Sequence, residues 1–320
     1  MAKILFLAHR APFPPDKGDK IRAFNILRHL AARHDVWLGA LADDPADRRR
    51  RDPALEGLRG ACLPPLGRLR RGWNMACGAV SGAPLSIARF RHPALGRWIE
   101  TTLRDVRPDV VLVFSSALAQ YVVGRLDPGV RLILDFVDSD AQKWLDYAGA
   151  TAPPARWLYR MEGRRLVRFD RRALDAAAAG VMISETERRL QAALLAGGAE
   201  KLSVIPNGVD TDYFRPAPGR ATSSDIVFCG RMDYAPNIDA ADWFAREILP
   251  RIRVCIPQAV FRIVGAAPSP RVLALRALEG VEVTGGVADV RPYLERAAVV
   301  VAPLRIARGI QNKVLEGLAM

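Results

Sequence analysis

Short, continuous apolar runs alternate with segments of helical spacing along this chain. The first run, Lys3–Ala8, precedes a polar loop, a helix predicted over Ile21–Arg33 and a second run at Val36–Leu41. Unbroken apolar runs are typical of parallel strands that helices cover on both faces, and this order of elements indicates a doubly wound α/β sheet. Further strands are predicted at Val110–Phe114, Leu132–Asp135 and Gly180–Ile183.

A second unit of the same kind follows a polar stretch. Pro206, Asn207 and Gly208 end a strand-like run, and the segment up to Ser224 is rich in proline and glycine, as is typical of a linker. New apolar runs follow at Asp225–Cys229, Val260–Gly265, Val281–Thr284 and Val299–Ala302. We therefore predict an N-terminal Rossmann-like domain over 1–204, a linker over 205–224 and a C-terminal Rossmann-like domain over 225–320. Two such domains that face a cleft bind ligands at the carboxyl ends of their strands.

The chain is strongly basic, with 47 Lys and Arg against 34 Asp and Glu and a net charge of +13. Almost all of this charge is arginine, which reflects either a GC-rich genome or an anionic partner such as nucleic acid, a nucleotide phosphate or an acidic membrane face. The four cysteines form no CxxC pair and no metal-type cluster with histidine. No apolar stretch is long enough to span a bilayer, so a cytoplasmic protein is expected.

Arginines recur between residues 48 and 97, where the strand and helix pattern is weakest. They interleave with Trp73, Met75, Phe90 and Trp98. One interpretation is an ordinary solvated helical region. The other is a basic amphipathic surface that lies against anionic lipid with its aromatic side chains at the interface. The sequence leaves both open.

The segment Arg305–Met320 follows the last apolar run and contains a glycine turn and the start of a helix. Amides at a helix start suit a phosphate, Lys313 adds positive charge, and Glu316 can accept hydrogen bonds from ribose hydroxyls. The chain stops within this helix. We therefore expect a truncated C-terminal domain, and a 320-residue form that is less stable and less active than an extended one.

Other candidate residues stand at predicted strand ends. Gly18 allows the backbone to approach a ligand closely, and Arg231 can form a bidentate pair with phosphate. The pair Asp135 and Asp138 is a candidate general base or acceptor-hydroxyl contact. Asp138 could equally be the N-cap of a helix beginning near Asp140. The spacing of Asp138 and Asp140 also occurs in metal-dependent sugar transferases, but that fold has no second Rossmann unit, so no metal is expected.

Motifs in the same order along the whole chain resemble those of family 4 glycosyltransferases of the GT-B type. The sequence is particularly similar to the sugar transferases of exosortase (PEP-CTERM) gene clusters, which serve bacterial exopolysaccharide synthesis. The segments that carry the resemblance are Arg10–Arg22, Asp135–Trp144, Ile205–Asp210, Gly230–Ala240 and Arg305–Glu316.

The resemblance implies a hexosyltransferase-type enzyme that moves a sugar from a UDP- or GDP-linked donor with retention of configuration, without a metal or other cofactor. The donor would bind the C-terminal domain, and a lipid-linked or other glycan acceptor the N-terminal one. It also implies that Gly18 approaches the donor phosphate and sugar, that Arg231 and Lys313 neutralise the diphosphate, and that Glu316 holds the ribose. Arg308, Gly309 and Asn312 belong to the donor loop that ends at Lys313.

Three positions depart from the family pattern. Arg308 stands where relatives have a glutamate that contacts the donor sugar, eight residues before Glu316, and Asn237 replaces a lysine six residues after Arg231. Asp138 occupies roughly the place of a histidine in many relatives. Lys313 is expected to compensate for the missing lysine. The candidate catalytic residues are Asp138, Arg231 and Lys313.

Two other functions fit parts of the sequence. A nucleotide-sugar epimerase shares the two-domain architecture but needs acidic and histidine groups together, and only His9 stands at a predicted strand end. The second alternative is a non-enzymatic basic protein that binds membranes or nucleic acid. The arginines form no recognised nucleic-acid motif, so no nucleic-acid partner is expected. A transferase located at the inner face of the plasma membrane explains more of the sequence.

Overall fold

The protein consists of two compact units, Met1–Pro206 and Asn207–Met320. The computed structural model describes residues 1–15, 18–42, 56–217, 223–306 and 311–320. Each unit has a parallel sheet in which helices connect most of the successive strands, which confirms the predicted α/β class with two Rossmann-like domains.

The N-terminal unit has a parallel sheet of seven strands in the order β3-β2-β1-β4-β5-β6-β7 within the described residues. These are β1 (Lys3–Ala8), β2 (Asp35–Ala40), β3 (Gly60–Cys62), β4 (Val110–Phe114), β5 (Arg131–Val137), β6 (Ala179–Met182) and β7 (Leu202–Val204). Strands β1 and β4 match their predicted bounds, whereas β5 continues two residues beyond Asp135.

Helices cover both faces of this sheet, as the unbroken apolar runs predict. They are α1 (Gly18–Ala31), α2 (Arg68–Ser81), α3 (Leu85–Ala88), α4 (Pro93–Val106), α5 (Asp140–Ala150), α6 (Ala155–Ala176) and α7 (Glu185–Leu195). Alternate side chains of β1 enter different cores: Leu5 and Leu7 belong to one cluster, while Ile4 and Phe6 belong to the other. A strand packed in this way needs apolar residues at every position.

In its described residues, the C-terminal unit has a parallel sheet of four strands in the order β10-β9-β8-β11. Its strands are β8 (Asp225–Cys229), β9 (Val260–Val264), β10 (Val281–Gly285) and β11 (Val299–Val300). Its helices are α8 (Ala235–Trp243), which continues through one π-helical turn at Phe244–Ile248 into α9 (Leu249–Cys255), then α10 (Pro270–Ala274), α11 (Arg291–Arg296) and α12 (Asn312–Ala319). Helix α8 begins at Ala235, with Pro236 in its first turn.

The arginine-rich region between residues 48 and 97 is largely helical where it is described. Residues 48–51 lie outside the described residues, and α2 and α4 account for most of the remainder. Phe90 is buried and Trp98 packs against the core, so the interpretation that places these two rings at a lipid interface is wrong. Trp73, in contrast, is 72% exposed. No helix in the described ranges is long and apolar enough to cross a membrane.

Candidate functional site

Two glycines bring the ends of β8 and β9 into close contact. Gly230 follows β8 with φ 155° and Gly265 follows β9 with φ 157°, a conformation that side-chain-bearing residues rarely adopt. A Cβ atom on Gly265 would lie 1.7 Å from the carbonyl oxygen of Gly230. The carboxyl edge of this sheet therefore carries no side chain at these two positions, which suits the close approach of a phosphate.

Lys313 is held above this edge by Asn237. The Lys313 Nζ donates a hydrogen bond of 2.7 Å to Asn237 Oδ1 and lies 4.6 Å from the centre of the Phe228 ring. The Asn237 Nδ2 in turn donates to the carbonyl oxygen of Arg231 at 2.8 Å. Asn237 is buried, at the position where the family resemblance predicts a lysine. The ammonium group thus comes from α12, and the asparagine orients it.

The charges of α12 are partly withdrawn from water. Burial lowers the pKa of Lys313 to about 8, although Cys229 and Glu316 oppose the shift. Burial also raises the pKa of Glu316, opposed by the charge of Lys313 three residues earlier. Burial and the charge of Glu316 raise the pKa of the Cys229 thiol to about 12, so this thiol is neutral at physiological pH. A lysine and a glutamate on one half-buried helix face can contact an anion and a hydroxyl side by side.

Arg231 has a carboxylate partner in this structure. Its Nη2 and Nε atoms lie 2.7 and 3.2 Å from the two carboxylate oxygens of Asp233, and both side chains are close to half exposed. The first residue of α12, Asn312, accepts a hydrogen bond of 3.0 Å from Asn207 Nδ2, which ties the start of this helix to the Pro-Asn-Gly motif. The predicted site residues Arg308 and Gly309 lie outside the described residues.

In the N-terminal unit, a buried ion pair joins the first helix to the end of β5. The Nε and Nη2 atoms of Arg22 both lie 2.9 Å from Asp135 Oδ2, and the two side chains are only 5% and 4% exposed. The other carboxylate oxygen accepts from the amide of Val137, whose φ is +67°. Burial raises the pKa of Asp135 despite the opposing charge of Arg22. With no access to solvent, Asp135 is a structural residue rather than the general base or acceptor contact considered above.

Asp138 lies directly after β5 and is half-buried. Helix α5 begins at Asp140 as predicted, but its N-cap residue is Ser139, whose side chain makes no capping hydrogen bond, so the interpretation of Asp138 as the N-cap is wrong. Ser139 is fixed instead by buried partners: its amide donates to Glu187 at 2.8 Å and its hydroxyl to Gln191 at 2.6 Å. The backbone that carries Asp138 is thereby held in place.

Gly18, the remaining predicted site residue, is the exposed first residue of α1. The next residue, Asp19, contacts Arg10 at 3.0 Å and the Nε2 of His9 at 3.4 Å. Burial acts to raise the pKa of Asp19, but the hydrogen bond to His9 and the charges of His9 and Arg10 outweigh it and lower the pKa. The His9 ring lies between Phe90 and Phe114. The loop after β1 thus contains a charged cluster that the sequence analysis did not identify.

Sequence families of known activity match nearly the whole chain. The glycosyl transferase 4-like domain family matches residues 20–208, and the family of glycosyl transferases group 1 matches residues 223–320. No curated protein sequence matches the chain. The first family alone spans more than half of the protein, and both families consist of enzymes that transfer sugars.

Solved structures share the fold at low sequence identity. The Anabaena protein HepE, solved in complex with UDP, is 16% identical over 99% of this chain and 78% of its own length, with a TM-score of 0.62. A trehalose-6-phosphate synthase studied with bisubstrate glycomimetics is 12% identical over 98% of this chain and 80% of its own length, with a TM-score of 0.60. The lipopolysaccharide outer core galactosyltransferase WaaB, in its apo form, is 13% identical over 99% of this chain and 78% of its own length, with a TM-score of 0.55.

These matches decide between the functions that the sequence left open. They exclude the epimerase and the non-enzymatic binding protein as the main function, because the families cover both units. The chain belongs to the glycosyl transferase 4-like family and is a glycosyltransferase with two Rossmann-like domains of the GT-B type.

Proposed function

We propose that this enzyme transfers a sugar from a nucleotide-sugar donor, bound by the C-terminal unit, to a lipid-linked glycan acceptor at the N-terminal unit. The observation that carries the proposal is the Lys313 ammonium held by Asn237 over the glycine edge, with Glu316 three residues further on. This arrangement offers a cation for a diphosphate and a carboxylate for a ribose within one helix. We propose Arg231, Asn312 and the loop of Arg308 and Gly309 as further donor contacts, and Gly18 as the contact from the N-terminal unit.

Cleavage of a glycosyl–diphosphate bond leaves negative charge on the departing phosphate. Lys313 and Arg231 would stabilise that charge as preorganised cations, so we propose a reaction that needs no metal and no cofactor besides the donor. Arg231 would exchange its Asp233 partner for the diphosphate, which is feasible because the pair is largely solvated and therefore weak. Removal of one such donor group typically costs about 3 kcal/mol of transition-state stabilisation.

Retention of configuration and the acceptor class form the finer part of the proposal. The trehalose-6-phosphate synthase is described as an enzyme of glycosyl transfer with retention, HepE is described with UDP, and WaaB is described as a lipopolysaccharide outer core galactosyltransferase. These descriptions support the proposal of a retaining, UDP-dependent enzyme. On the motif resemblance alone we extend the proposal to a membrane glycan in exopolysaccharide synthesis, in an exosortase (PEP-CTERM) system. Asp138, half-buried at the end of β5, is our candidate for contact with the acceptor.

Calorimetric titration with nucleotides tests the donor site directly. We expect one nucleoside diphosphate among UDP, GDP and ADP to bind in the presence of EDTA, and CMP to bind poorly. Glu316→Gln should weaken that binding about tenfold through loss of a charged hydrogen bond, and Lys313→Met at least as much. Glu282→Gln, on an exposed part of β10, is the matched control. Binding that requires Mn²⁺, or binding unaffected by both site variants, would refute the proposed site.

A further inference from the structure

Helix α2 packs against the protein through its polar and small residues instead of its apolar ones. Its only buried residues are Asn74 and Gly78. The Asn74 amide donates to the carbonyl oxygens of Arg89 and Arg91 at 3.4 and 2.7 Å, and a Cβ on Gly78 would lie 2.6 Å from the Cβ of Ala88. An amphipathic helix of a soluble domain normally buries its apolar side, so this orientation is reversed.

The apolar side chains of α2 form a continuous stripe on its solvent side. Leu69, Trp73 and Val80, the α2 stripe, are 92%, 72% and 92% exposed. At about 100° per residue, their spacing of four and seven places them on one side of the helix, opposite Asn74 and Gly78. Scattered exposed apolar residues need no explanation, but a helix face made of them indicates a surface that is covered in function.

The surroundings of the α2 stripe are positively charged. Helix α2 contains Arg68, Arg70 and Arg71 and no acidic residue. At its end, residues 81–84 border a groove of about 770 Å³. Five arginines line the groove: Arg91, Arg165, Arg168, Arg171 and Arg172. Within the described ranges, only Arg171 of these five pairs with a carboxylate, that of Asp175.

We infer that α2 and the arginine groove dock on an anionic lipid bilayer. The α2 stripe would enter the boundary between headgroups and acyl chains, where tryptophan is favoured, and the arginines would contact lipid phosphates. Charge argues against a second copy of the chain as the occupant, because the same arginines would face one another. The groove lies toward the amino ends of the strands, because Arg171 and Arg172 come shortly before β6 in the chain. The candidate acceptor contact Asp138, in contrast, follows the carboxyl end of β5. This inference adds a surface to the membrane-linked role proposed above and does not depend on the nucleotide site.

Vesicle co-sedimentation of the full chain tests the surface. We expect binding to phosphatidylcholine vesicles that contain phosphatidylglycerol, weak binding to phosphatidylcholine alone, and release by salt. The double variant Arg168→Gln/Arg172→Gln should bind about fivefold more weakly for each arginine removed. Leu69→Ser/Trp73→Ser should lose at least about tenfold. Arg251→Gln/Val254→Ser, two exposed positions of the C-terminal unit, is the matched control and should bind normally.

A second readout locates the contact. Vesicles with brominated acyl chains should quench the tryptophan fluorescence of the bound protein, and Trp73→Phe should remove most of the quenching while binding persists. Trp157→Phe, which changes a tryptophan 67% exposed on α6, should leave it unchanged. Equal binding to neutral vesicles, or quenching that survives Trp73→Phe, would overturn the inference. So would dimers in solution that Trp73→Ser dissociates.

The outcomes separate this inference from the proposed function. If the docking surface is correct, Leu69→Ser/Trp73→Ser loses vesicle binding but keeps nucleotide affinity, and Glu316→Gln does the reverse. A protein that binds nucleotide but no vesicle refutes only the docking surface. A protein that binds vesicles but no nucleotide refutes only the donor site.

Discussion

The Lys313 ammonium and the Asn237 side-chain oxygen lie 2.7 Å apart, although 76 residues separate them in the chain. Asn237 donates through its other side-chain atom to the carbonyl oxygen of Arg231. One buried asparagine therefore contacts the Lys313 ammonium and the backbone of Arg231, the two residues that we assign to the donor diphosphate. The family resemblance predicts a lysine at position 237, and in this protein the asparagine at that position orients the Lys313 ammonium of α12 instead.

Substitution of Asn237 by alanine should therefore affect both cations. Lys313 would lose its fixed position and the Arg231 carbonyl its donor, so we expect nucleotide affinity to fall about tenfold and the C-terminal unit to lose about 1–3 kcal/mol of stability. Calorimetry and urea unfolding measure the two effects. Asn25→Ala, which removes an exposed side chain bonded to the Ile21 carbonyl, is the control and should change neither. Full nucleotide affinity in Asn237→Ala would refute the orienting role.

Lys313 should contribute to binding at the expense of stability. Its pKa of about 8 in the folded protein, against an ordinary 10.5, corresponds to about 3 kcal/mol of destabilisation when the group is charged. Lys313→Met would remove this penalty but leave Asn237 Oδ1 without its donor, so we expect a net gain of about 1–2 kcal/mol at pH 7. The gain should shrink as pH rises from 8 to 10.5, because the folded wild type then sheds its proton first and gains stability. Unfolding at pH 7 and pH 10 tests this, and a variant less stable than wild type at pH 7 would contradict it.

Nucleotide affinity should also depend on the protonation of Lys313. Below pH 8 the ammonium is present before the diphosphate arrives, whereas above pH 8 binding must also take up a proton. We therefore expect the dissociation constant to rise with pH from about 8 upward and to level off above the pKa of the bound state. In Lys313→Met the nucleotide affinity should be low and should not change with pH over the same range. If the affinity of the wild type stayed the same between pH 7 and pH 9.5, this ammonium would not contact the nucleotide.

The apolar runs predicted the sheets well because a strand covered on both faces needs apolar residues throughout. Strands β1, β4 and β8 begin and end where the runs do. Strand β5 was predicted to end at Asp135, where the apolar run stops. In the structure the Arg22 guanidinium pairs with Asp135, and this long-range contact allows the strand to continue to Val137.

Sequence patterns predicted the contacts of the candidate site and the orientation of α2 less well than they predicted the strands. They predicted Lys313 and Glu316 as a nucleotide-binding pair, but a contact between residues 237 and 313 leaves no local signature. The stripe of α2 does have helical spacing, and a helix with that spacing is normally read with its apolar side inward. Gly78 and Asn74, which allow the opposite face to pack, are residues that the pattern does not count as core.

The contact between β8 and β9 should tolerate no side chain at Gly265. Alanine there would place its Cβ 1.7 Å from the Gly230 carbonyl oxygen at a φ of 157°, so the two strand ends would have to separate. We expect a loss of more than about 3 kcal/mol of stability and of nucleotide binding. Gly286→Ala, where the nearest heavy atom is 3.7 Å from the new Cβ, should change stability by less than about 1 kcal/mol. Similar thermal unfolding of the two variants would contradict this prediction.

The Arg22–Asp135 pair should make the N-terminal unit sensitive to pH once it is broken. Arg22→Met leaves a buried carboxylate without its cation, which typically costs about 3–5 kcal/mol. Burial already raises the pKa of Asp135 above its unfolded value, so proton uptake stabilises the folded state, and loss of Arg22 raises that pKa further. The variant should therefore be destabilised most at pH 8 and recover part of its stability toward pH 5. Arg22→Met/Asp135→Leu, which removes both charges, should be more stable than Arg22→Met at pH 8 and lack this recovery. Urea unfolding at the two pH values tests the pair, and a pH-independent loss in Arg22→Met would show that packing, not charge, accounts for it.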